Sequence, residues 1–147
     1  MTIRFSNLSD APTIAVFNQA MALETENKIL PDKLILDGVK NLMAQSQFGF
    51  YVVAEIENEI VGSLMITYEW SDWRNGIMWW LQSVFVKKEF RKQGVFKSLL
   101  QFVEQQAKEK NAVGIRLYME RENENAHKTY ERCGFQLTDY CLFEKKL

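Results

Sequence analysis

A basic turn in the middle of the chain combines residue types that can bind phosphate. Residues 87–98 read KKEFRKQGVFKS, in which five residues are Lys or Arg and one is Glu. A helix is predicted from Val95, and the N–H groups of its first turn would be unpaired at the positive end of the helix dipole. Gly94 would allow a ligand to approach the backbone closely. The same composition also fits a solvated loop, so the turn alone leaves both interpretations open.

A second segment places a phenol on a short predicted helix. Residues 123–135 read NENAHKTYERCGF, and Ala126, Tyr130 and Cys133 fall on one helical face. A positioned phenol can donate a proton to a leaving group. A tyrosine that only packs in the core would give the same pattern, and the segment alone favours that simpler interpretation.

The elements that carry these segments follow from the spacing of apolar residues. Alternation with β-branched residues predicts strands, and apolar residues three or four apart predict helices. Ser9, followed by Asp10 and Pro12, is predicted as the N-cap of the first helix. The first half contains strands at 3–5, 50–55, 60–70 and 77–86, and residues 57–59 join the second of these to the third. Between the first two strands lie two helices. The first helix has Ile14, Phe17 and Met21 on one face, and the second, from Pro31-Asp32, has Leu34, Ile35, Val39, Leu42 and Met43.

The second half completes one domain. A helix with Phe96, Leu99, Leu100, Val103 and Ala107 on one face is followed by a strand at 113–119, a helix at 123–133 that Gly134 stops, and one or two closing strands within 135–144. Alternation along 77–86 puts Phe85 on one side and Val84 on the other, so this strand is predicted to be central and covered on both faces. The fold class is α/β with α+β character, a mixed central sheet of six to seven strands flanked by about four helices.

With both motifs in this order, the chain resembles the GNAT superfamily of acyl-coenzyme A dependent N-acyltransferases. The resemblance rests on Arg91-x-x-Gly94 after a strand that ends Val84-x-Val86, and on Asn123-x-x-Ala126-x-x-x-Tyr130-x-x-x-Gly134-Phe135. It implies that strands 77–86 and 113–119 splay apart and admit the thioester of acetyl-coenzyme A (acetyl-CoA). It also implies transfer of the acetyl group to a primary amine of a small molecule or protein, with no metal.

The resemblance also assigns residues to the acetyl-CoA site. Backbone amides from Gln93 to Ser98 would hold the pyrophosphate, the main chain of Val84 and Val86 would pair with the pantetheine arm, and Asn123 would help to hold that arm. Relatives usually carry Gly or Ala where this chain has Phe96, so the Phe96 side chain must point into the core. The full expected set is Val84, Phe85, Val86, Arg91, Lys92, Gln93, Gly94, Val95, Phe96, Lys97, Ser98, Asn123, Ala126 and Tyr130.

Catalysis by direct attack of the amine needs a proton donor and a proton acceptor. The family motif assigns the donor role, protonation of the departing thiolate, to Tyr130. Many relatives place a carboxylate in the middle of the fourth strand, but residues 78–82 read MWWLQ and contain none. Glu69 and Glu26 are the candidate catalytic carboxylates, with Glu24 beside them, although each also fits an ordinary surface position.

The acceptor is less well defined. Residues 54–80 contain Glu55, Glu57, Glu59, Glu69 and Asp72 against Arg74 alone, which favours a cationic acceptor. A solvated hairpin would have the same composition, so both interpretations stay open.

Composition excludes several other classes of protein. The chain has 147 residues, 47% of them hydrophobic, and a formal net charge of -1, which indicates one globular domain and no nucleic-acid partner. Cys133 and Cys141 lack metal or redox spacing, and no apolar run is long enough for a signal peptide or a membrane span. We therefore expect a cytoplasmic protein without a membrane partner, and the aromatic content is compatible with a homodimer.

Two other classes of function stay open at this level. A noncatalytic sensor would keep the acyl-CoA site and lack the acceptor chemistry, for which the missing carboxylate in the fourth strand gives some support. An interaction module could use the same fold for neither purpose, because a fold does not specify a function.

Overall fold

The computed structural model describes residues 1–147 as one five-stranded sheet with four α-helices. None of the helices is both long and apolar enough to cross a membrane. In chain order the elements are β1 (Thr2–Phe5), α1 (Ala11–Glu26), α2 (Asp32–Ala44), β2 (Gly49–Ile56), β3 (Glu59–Ser71), β4 (Gly76–Val86), α3 (Val95–Glu109), β5 (Gly114–Leu117) and α4 (Glu124–Arg132), with 3-10 turns at Leu8–Asp10 and Lys88–Phe90.

The strands lie across the sheet in chain order, β1-β2-β3-β4-β5. Neighbours from β1 to β4 are antiparallel, whereas β4 and β5 are parallel because α3 crosses between them. A two-residue turn joins β2 to β3, with Glu57 and Asn58 at φ 51° and 65°. The mixed sheet and the four helices agree with the prediction from sequence.

The number of strands does not agree, because the sheet has five strands rather than six to seven. The closing strands predicted within 135–144 are absent, and the strand predicted at 113–119 is shortened to β5. Beyond the N–H of Phe135, which donates to the Tyr130 carbonyl, no backbone group bonds to another backbone group. Leu137, Leu142 and Phe143 are exposed. Strand-forming residues need a partner strand and a face to pack on, and this segment has neither.

The start of α1 also differs from the prediction, because Ser9 is not its cap. Asn7 accepts a hydrogen bond from the Ser9 N–H at 2.9 Å, and the Asp10 carboxylate accepts one from the Asn7 N–H at 2.8 Å. Asp10 is buried and also accepts a 2.8 Å hydrogen bond from Arg4. Since a buried carboxylate needs donors, the chain forms a 3-10 turn around Asp10 before α1 begins.

Two cores lie on the two faces of the sheet. The larger one packs α3 against β2, β3 and β4, with Leu64, Ile66, Trp79 and Leu99 among its buried members. The smaller one packs α1 and α2 against β2 and includes Ile14. Helix α3 alternates this buried stripe with exposed polar residues, so its orientation on the sheet is fixed and its N-terminus lies just after β4.

A β-bulge in β4 reverses the faces of the residues that follow it. Ser63 pairs with Phe85 and Met65 with Gln82, so Leu64 alone opposes both Ser83 and Val84, and Ser83 adopts φ 48°. Before the bulge, Leu81 faces α3. After it, Val84 and Val86 face α3, while Phe85 stacks on Phe17 of α1 at 4.7 Å between ring centroids. The strict alternation predicted along 77–86 was therefore wrong beyond Gln82.

Two glycine substitutions test the packing of the sheet. A Cβ at Gly49 would lie 2.0 Å from the backbone oxygen of Ile66, whereas a Cβ at Gly38, inside α2, would meet nothing within 4 Å. We expect Gly49→Ala to lower the free energy of unfolding by about 2 kcal/mol or more, because the neighbouring strand must move. Gly38→Ala should raise it by about 0.5–1 kcal/mol. Urea denaturation of both variants measures the effects, and a neutral Gly49→Ala would contradict this packing.

Candidate functional site

Strands β4 and β5 separate at Leu81. Their register runs from Met78 opposite Gly114 to Leu81 opposite Leu117, after which β4 continues to Val86 with β3 as its only neighbour. The Lys87 N–H donates to the Val61 carbonyl of β3, and residues along an antiparallel strand alternate, so Val84 and Val86 direct their backbone groups away from β3. This β4–β5 gap is the splay that the family resemblance implies.

The basic turn leads from this gap to the N-terminus of α3. Gly94 is the N-cap residue at φ 82°, no side chain caps the helix, and a Cβ at this position would meet nothing within 4 Å. The first intrahelical bond is donated by the Ser98 N–H to the Gly94 carbonyl. The N–H groups of Val95, Phe96 and Lys97 are therefore unpaired and open to a ligand, and the dipole of a 15-residue helix favours an anion there.

Arg91 has a structural role that the sequence did not reveal. Its guanidinium donates two hydrogen bonds to Glu24 at the end of α1, at 2.6 and 2.8 Å, and its Nε donates to the Val86 carbonyl at 2.9 Å. It also lies over the Phe85 ring at 5.9 Å. These bonds engage the Arg91 side chain and the Val86 carbonyl, which leaves the Val86 N–H and both Val84 groups for a ligand in the gap.

Tyr130 lies in a cluster of three aromatic rings next to the basic turn. Its ring meets Phe96 edge to face at 5.7 Å and Phe135 at 5.9 Å between centroids. Phe96 thus packs toward the core, as expected. Burial raises the pKa of the Tyr130 phenol above its ordinary value of 10.0, and nearby Cys133 adds to the rise, so the phenol keeps its proton at neutral pH. The hydroxyl has no hydrogen-bond partner in the protein and can donate to a ligand.

The remaining residues of the second motif lie at the start of α4. Asn123 is the N-cap, and its side-chain oxygen accepts from the Ala126 N–H at 3.0 Å. Its amide nitrogen makes no bond within the protein and stays available as a donor. Lys92, at φ 62°, Gln93 and Lys97 are exposed around the turn.

A polar strip crosses three strands on the face opposite α3. We define it as Thr67 and Glu69 of β3, Trp80 and Gln82 of β4, Arg116 of β5 and Tyr118, which follows β5. Glu69 accepts hydrogen bonds at 2.9 Å from the Trp80 indole N–H and from Arg116. Gln82 donates to Thr67 at 2.5 Å, and the Tyr118 hydroxyl lies 3.5 Å from the Gln82 side-chain oxygen. Helices α1 and α2 cover the neighbouring part of this face, so the strip forms an open shelf that leads to the gap.

The predicted carboxylates lie in different places. Glu69 belongs to the polar strip, with 43% of its side chain exposed. Glu26, at the end of α1, forms an ion pair with Lys28. Glu24 is bonded to Arg91, which lowers the pKa of its carboxyl. The structure therefore does not bring Glu69 and Glu26 together, and Arg116 and Tyr118 are functional candidates that the sequence analysis missed.

Comparison with known proteins agrees with this arrangement. The model of the acetyltransferase (GNAT) family matches residues 16–135. A possible acetyltransferase from Clostridium difficile 630 is 41% identical, with a TM-score of 0.92 over 99% of this chain and 97% of that one. A predicted acetyltransferase from Clostridium acetobutylicum, solved with acetyl-CoA, is 21% identical, with a TM-score of 0.79 over 98% and 95%, which shows a common fold.

A curated relative matches over a shorter region. Streptothricin acetyltransferase from Escherichia coli is 31% identical over 93 residues, which are 63% of this chain and 51% of that protein. The chain thus matches about half the length of that relative.

The Arg91–Glu24 pair makes stability depend on pH in a defined direction. Because the pKa of Glu24 is lowered in the folded state, the pair stabilises the fold above the ordinary value of 4.5 and loses this effect as pH falls through the lowered pKa. Glu24 and Arg91 are each 37% exposed, so we expect Glu24→Gln to cost only about 0.5–1 kcal/mol at neutral pH. Denaturation at neutral pH and at decreasing pH below 4.5 measures the difference, which should vanish in acid.

The exposed Glu26 is a matched control, since its partner Lys28 is only two residues away. Glu26→Gln should change stability much less than Glu24→Gln. Equal effects of the two substitutions would mean that the bond between α1 and the basic turn contributes nothing of its own.

Proposed function

The chain belongs to the GNAT family of acetyltransferases, and on that premise we propose that it transfers the acetyl group of acetyl-CoA to a primary amine. The observation that carries the proposal is the combination of two unpaired sets of backbone groups in adjacent positions. One set is the open N-terminus of α3 behind Gly94, and the other is the edge of β4 beyond Leu81. A phosphate group suits the first and an extended amide-containing chain suits the second.

Each part of acetyl-CoA then has its own contacts. The pyrophosphate binds the N–H groups from Gln93 to Lys97, because the Ser98 N–H is already bonded to the Gly94 carbonyl. Lys92 and Lys97 supply positive charge at the rim. The pantetheine amides bind the N–H and C=O of Val84 and the N–H of Val86, and the Asn123 amide donates to the same arm. Phe85, Arg91, Phe96 and Ala126 act indirectly, because their side chains position the turn, the strand and α4 rather than face the ligand.

Transfer proceeds by direct attack of the neutral amine on the thioester carbonyl carbon. A C–N bond forms and the C–S bond breaks, and the departing sulfur accepts the proton of Tyr130. The Tyr130 oxygen then regains a proton from water, which restores the phenol. The amine loses a proton to water on the open shelf and from there to Glu69. Glu69 is preferred over Glu26 as the final acceptor because its second oxygen is unbonded and faces the shelf, whereas Glu26 is paired with Lys28.

Binding of acetyl-CoA is tested by a glycine pair with the same backbone geometry. Gly94 has φ 82° and Gly134 has φ 87°, and neither has an atom within 4 Å of an added Cβ. Gly94→Glu places an acid in front of α3 and should weaken binding in calorimetric titration by at least about 10-fold, because like charges repel at the phosphate position. Gly134→Glu carries the same strain and charge at the end of α4 and should bind almost normally.

The outcomes of this titration separate the function classes. Binding by neither the wild type nor the variants would reject the donor site and leave an interaction module. Binding without turnover on a broad panel of amines would favour the acyl-CoA sensor over the enzyme.

The two proton-transfer residues are tested through turnover. Tyr130→Phe retains the ring contacts with Phe96 and Phe135 and removes only the hydroxyl, so kcat should fall about 100-fold while the affinity for acetyl-CoA changes little. Glu69→Gln should lower kcat by about 10-fold or more, whereas Glu26→Gln should not. Release of free thiol, followed over a range of pH, measures each effect.

Tyr140→Phe, in the exposed C-terminal segment, is the control for loss of a phenol. Unchanged turnover in Tyr130→Phe would remove Tyr130 as the acid. Unchanged kcat in Glu69→Gln would leave water as the proton acceptor, and equal losses in Glu69→Gln and Glu26→Gln would remove the preference for Glu69.

A further inference from the structure

Arg116 has hydrogen-bonding capacity that the protein does not use. Only its Nη1 is bonded, to Glu69 at 2.9 Å, and the N–H groups on Nε and Nη2 have no partner. The side chain is 24% exposed, so these donors lie in a largely covered position that still opens on the shelf. A guanidinium with a free edge is suited to a planar carboxylate, because two parallel N–H groups match two oxygens.

The position of Arg116 keeps it apart from the β4–β5 gap. Arg116 is opposite Trp80, one residue before the last pair of β4 and β5, and the gap opens at Gln82 and Tyr118. Two residues of strand separate these rows by about 7 Å. Under the proposed function the thioester enters at the gap, whereas the Arg116 guanidinium reaches Glu69, which pairs with Met78 farther from the gap. An acceptor bound to Arg116 must therefore carry its amine several carbon atoms away from its carboxylate.

The charges around the shelf also differ from the acidic surface that the sequence allowed. Glu55 pairs with Arg4 and Glu59 with Lys87, while Glu57 lies in the β2–β3 turn. Of the acids between residues 54 and 80, Glu69 alone belongs to the polar strip, where Arg116 balances it. A strip with one charge of each sign complements an acceptor that carries both an ammonium and a carboxylate better than it complements a polyamine.

We propose that the acceptor is an amino acid with a side-chain amine, whose carboxylate binds the free edge of Arg116 and whose side-chain amine receives the acetyl group. The α-amine is too close to the carboxylate to reach the gap from this anchor. Trp80 and Tyr118, whose rings contact each other at 6.1 Å between centroids, provide an aromatic surface on which the aliphatic chain between the two polar ends can pack. This inference rests on the proposed function and names the substrate class of that same site.

Paired substrates that differ only in the carboxylate provide the test. We use lysine with cadaverine and ornithine with putrescine, each with acetyl-CoA, and measure kcat/KM and the position of the acetyl group. The wild type should favour each amino acid over its decarboxylated counterpart by about 10- to 100-fold, the range expected for a hydrogen bond to a charged group. Arg116→Gln also removes a hydrogen bond to Glu69 and so affects both kinds of substrate, but it should lower kcat/KM for the amino acids by a further factor of this size, so that their preference over the diamines disappears.

Two further variants keep the test independent of folding. Arg116→Lys retains the charge but loses the bidentate geometry. Its preference for amino acids over diamines should therefore lie between that of the wild type and that of Arg116→Gln. Arg74→Gln, in the exposed loop between β3 and β4, should match the wild type. Unchanged calorimetric binding of acetyl-CoA shows that the Arg116 variants are folded.

The inference fails if the wild type uses amino acids and diamines equally well, if Arg116→Gln lowers both equally, or if the product is acetylated on the α-amine. Turnover of other amines with none on lysine or ornithine would also reject it while leaving the proposed function intact. Absence of acetyl-CoA binding would instead reject the proposed function itself.

Discussion

The structure depends on how the backbone of β4 satisfies its hydrogen bonds after β5 leaves it. Up to Leu81 the strand is paired on both sides, and beyond it only β3 remains. A strand edge of this kind in the middle of a fold needs partners, because unpaired N–H and C=O groups cost free energy when water is excluded. The bulge at Ser83 places the Val84 and Val86 side chains against α3, while their backbone groups point into the gap. Under the proposed function, a bound amide-containing chain would complete a sheet that the protein leaves open.

Contacts from α1, in the first part of the sequence, hold the open edge of β4 in place. Arg91 bonds the Val86 carbonyl and Glu24, and Phe85 stacks on Phe17, so the end of β4, the basic turn and α1 form one unit. Helix α1 packs on the face of the sheet that carries the polar strip, so these few contacts connect the basic turn to that face. The arginine of the first motif thus bonds within the protein, to Glu24 and to the Val86 carbonyl.

The features that could be predicted from the sequence are those set by residues close to one another in the chain. The turn at Gly94, the α4 helix from Asn123 and the stripe of α3 arise from neighbours within a few residues, and each was found. The closing strands were predicted from residue types alone, but a strand forms only with a partner, which composition does not specify. The shelf was missed because Glu69, Trp80 and Arg116 meet only through the register of three strands. The bulge at Ser83 likewise depends on pairing with β3, so the faces of Val84 and Phe85 could not be read from alternation.

The environment of Tyr130 also limits what its phenol can contribute. Burial between Phe96 and Phe135 keeps the hydroxyl protonated, but a raised pKa makes it a weaker acid. A free thiol has a pKa near 8.5, below that of a phenol, so complete proton transfer to a thiolate is uphill. Under the proposed mechanism, the hydroxyl would therefore be most effective while the C–S bond is breaking, when negative charge grows on the sulfur. A buried donor aimed at that charge stabilises the transition state more than the bound thioester, which is the condition for raising kcat.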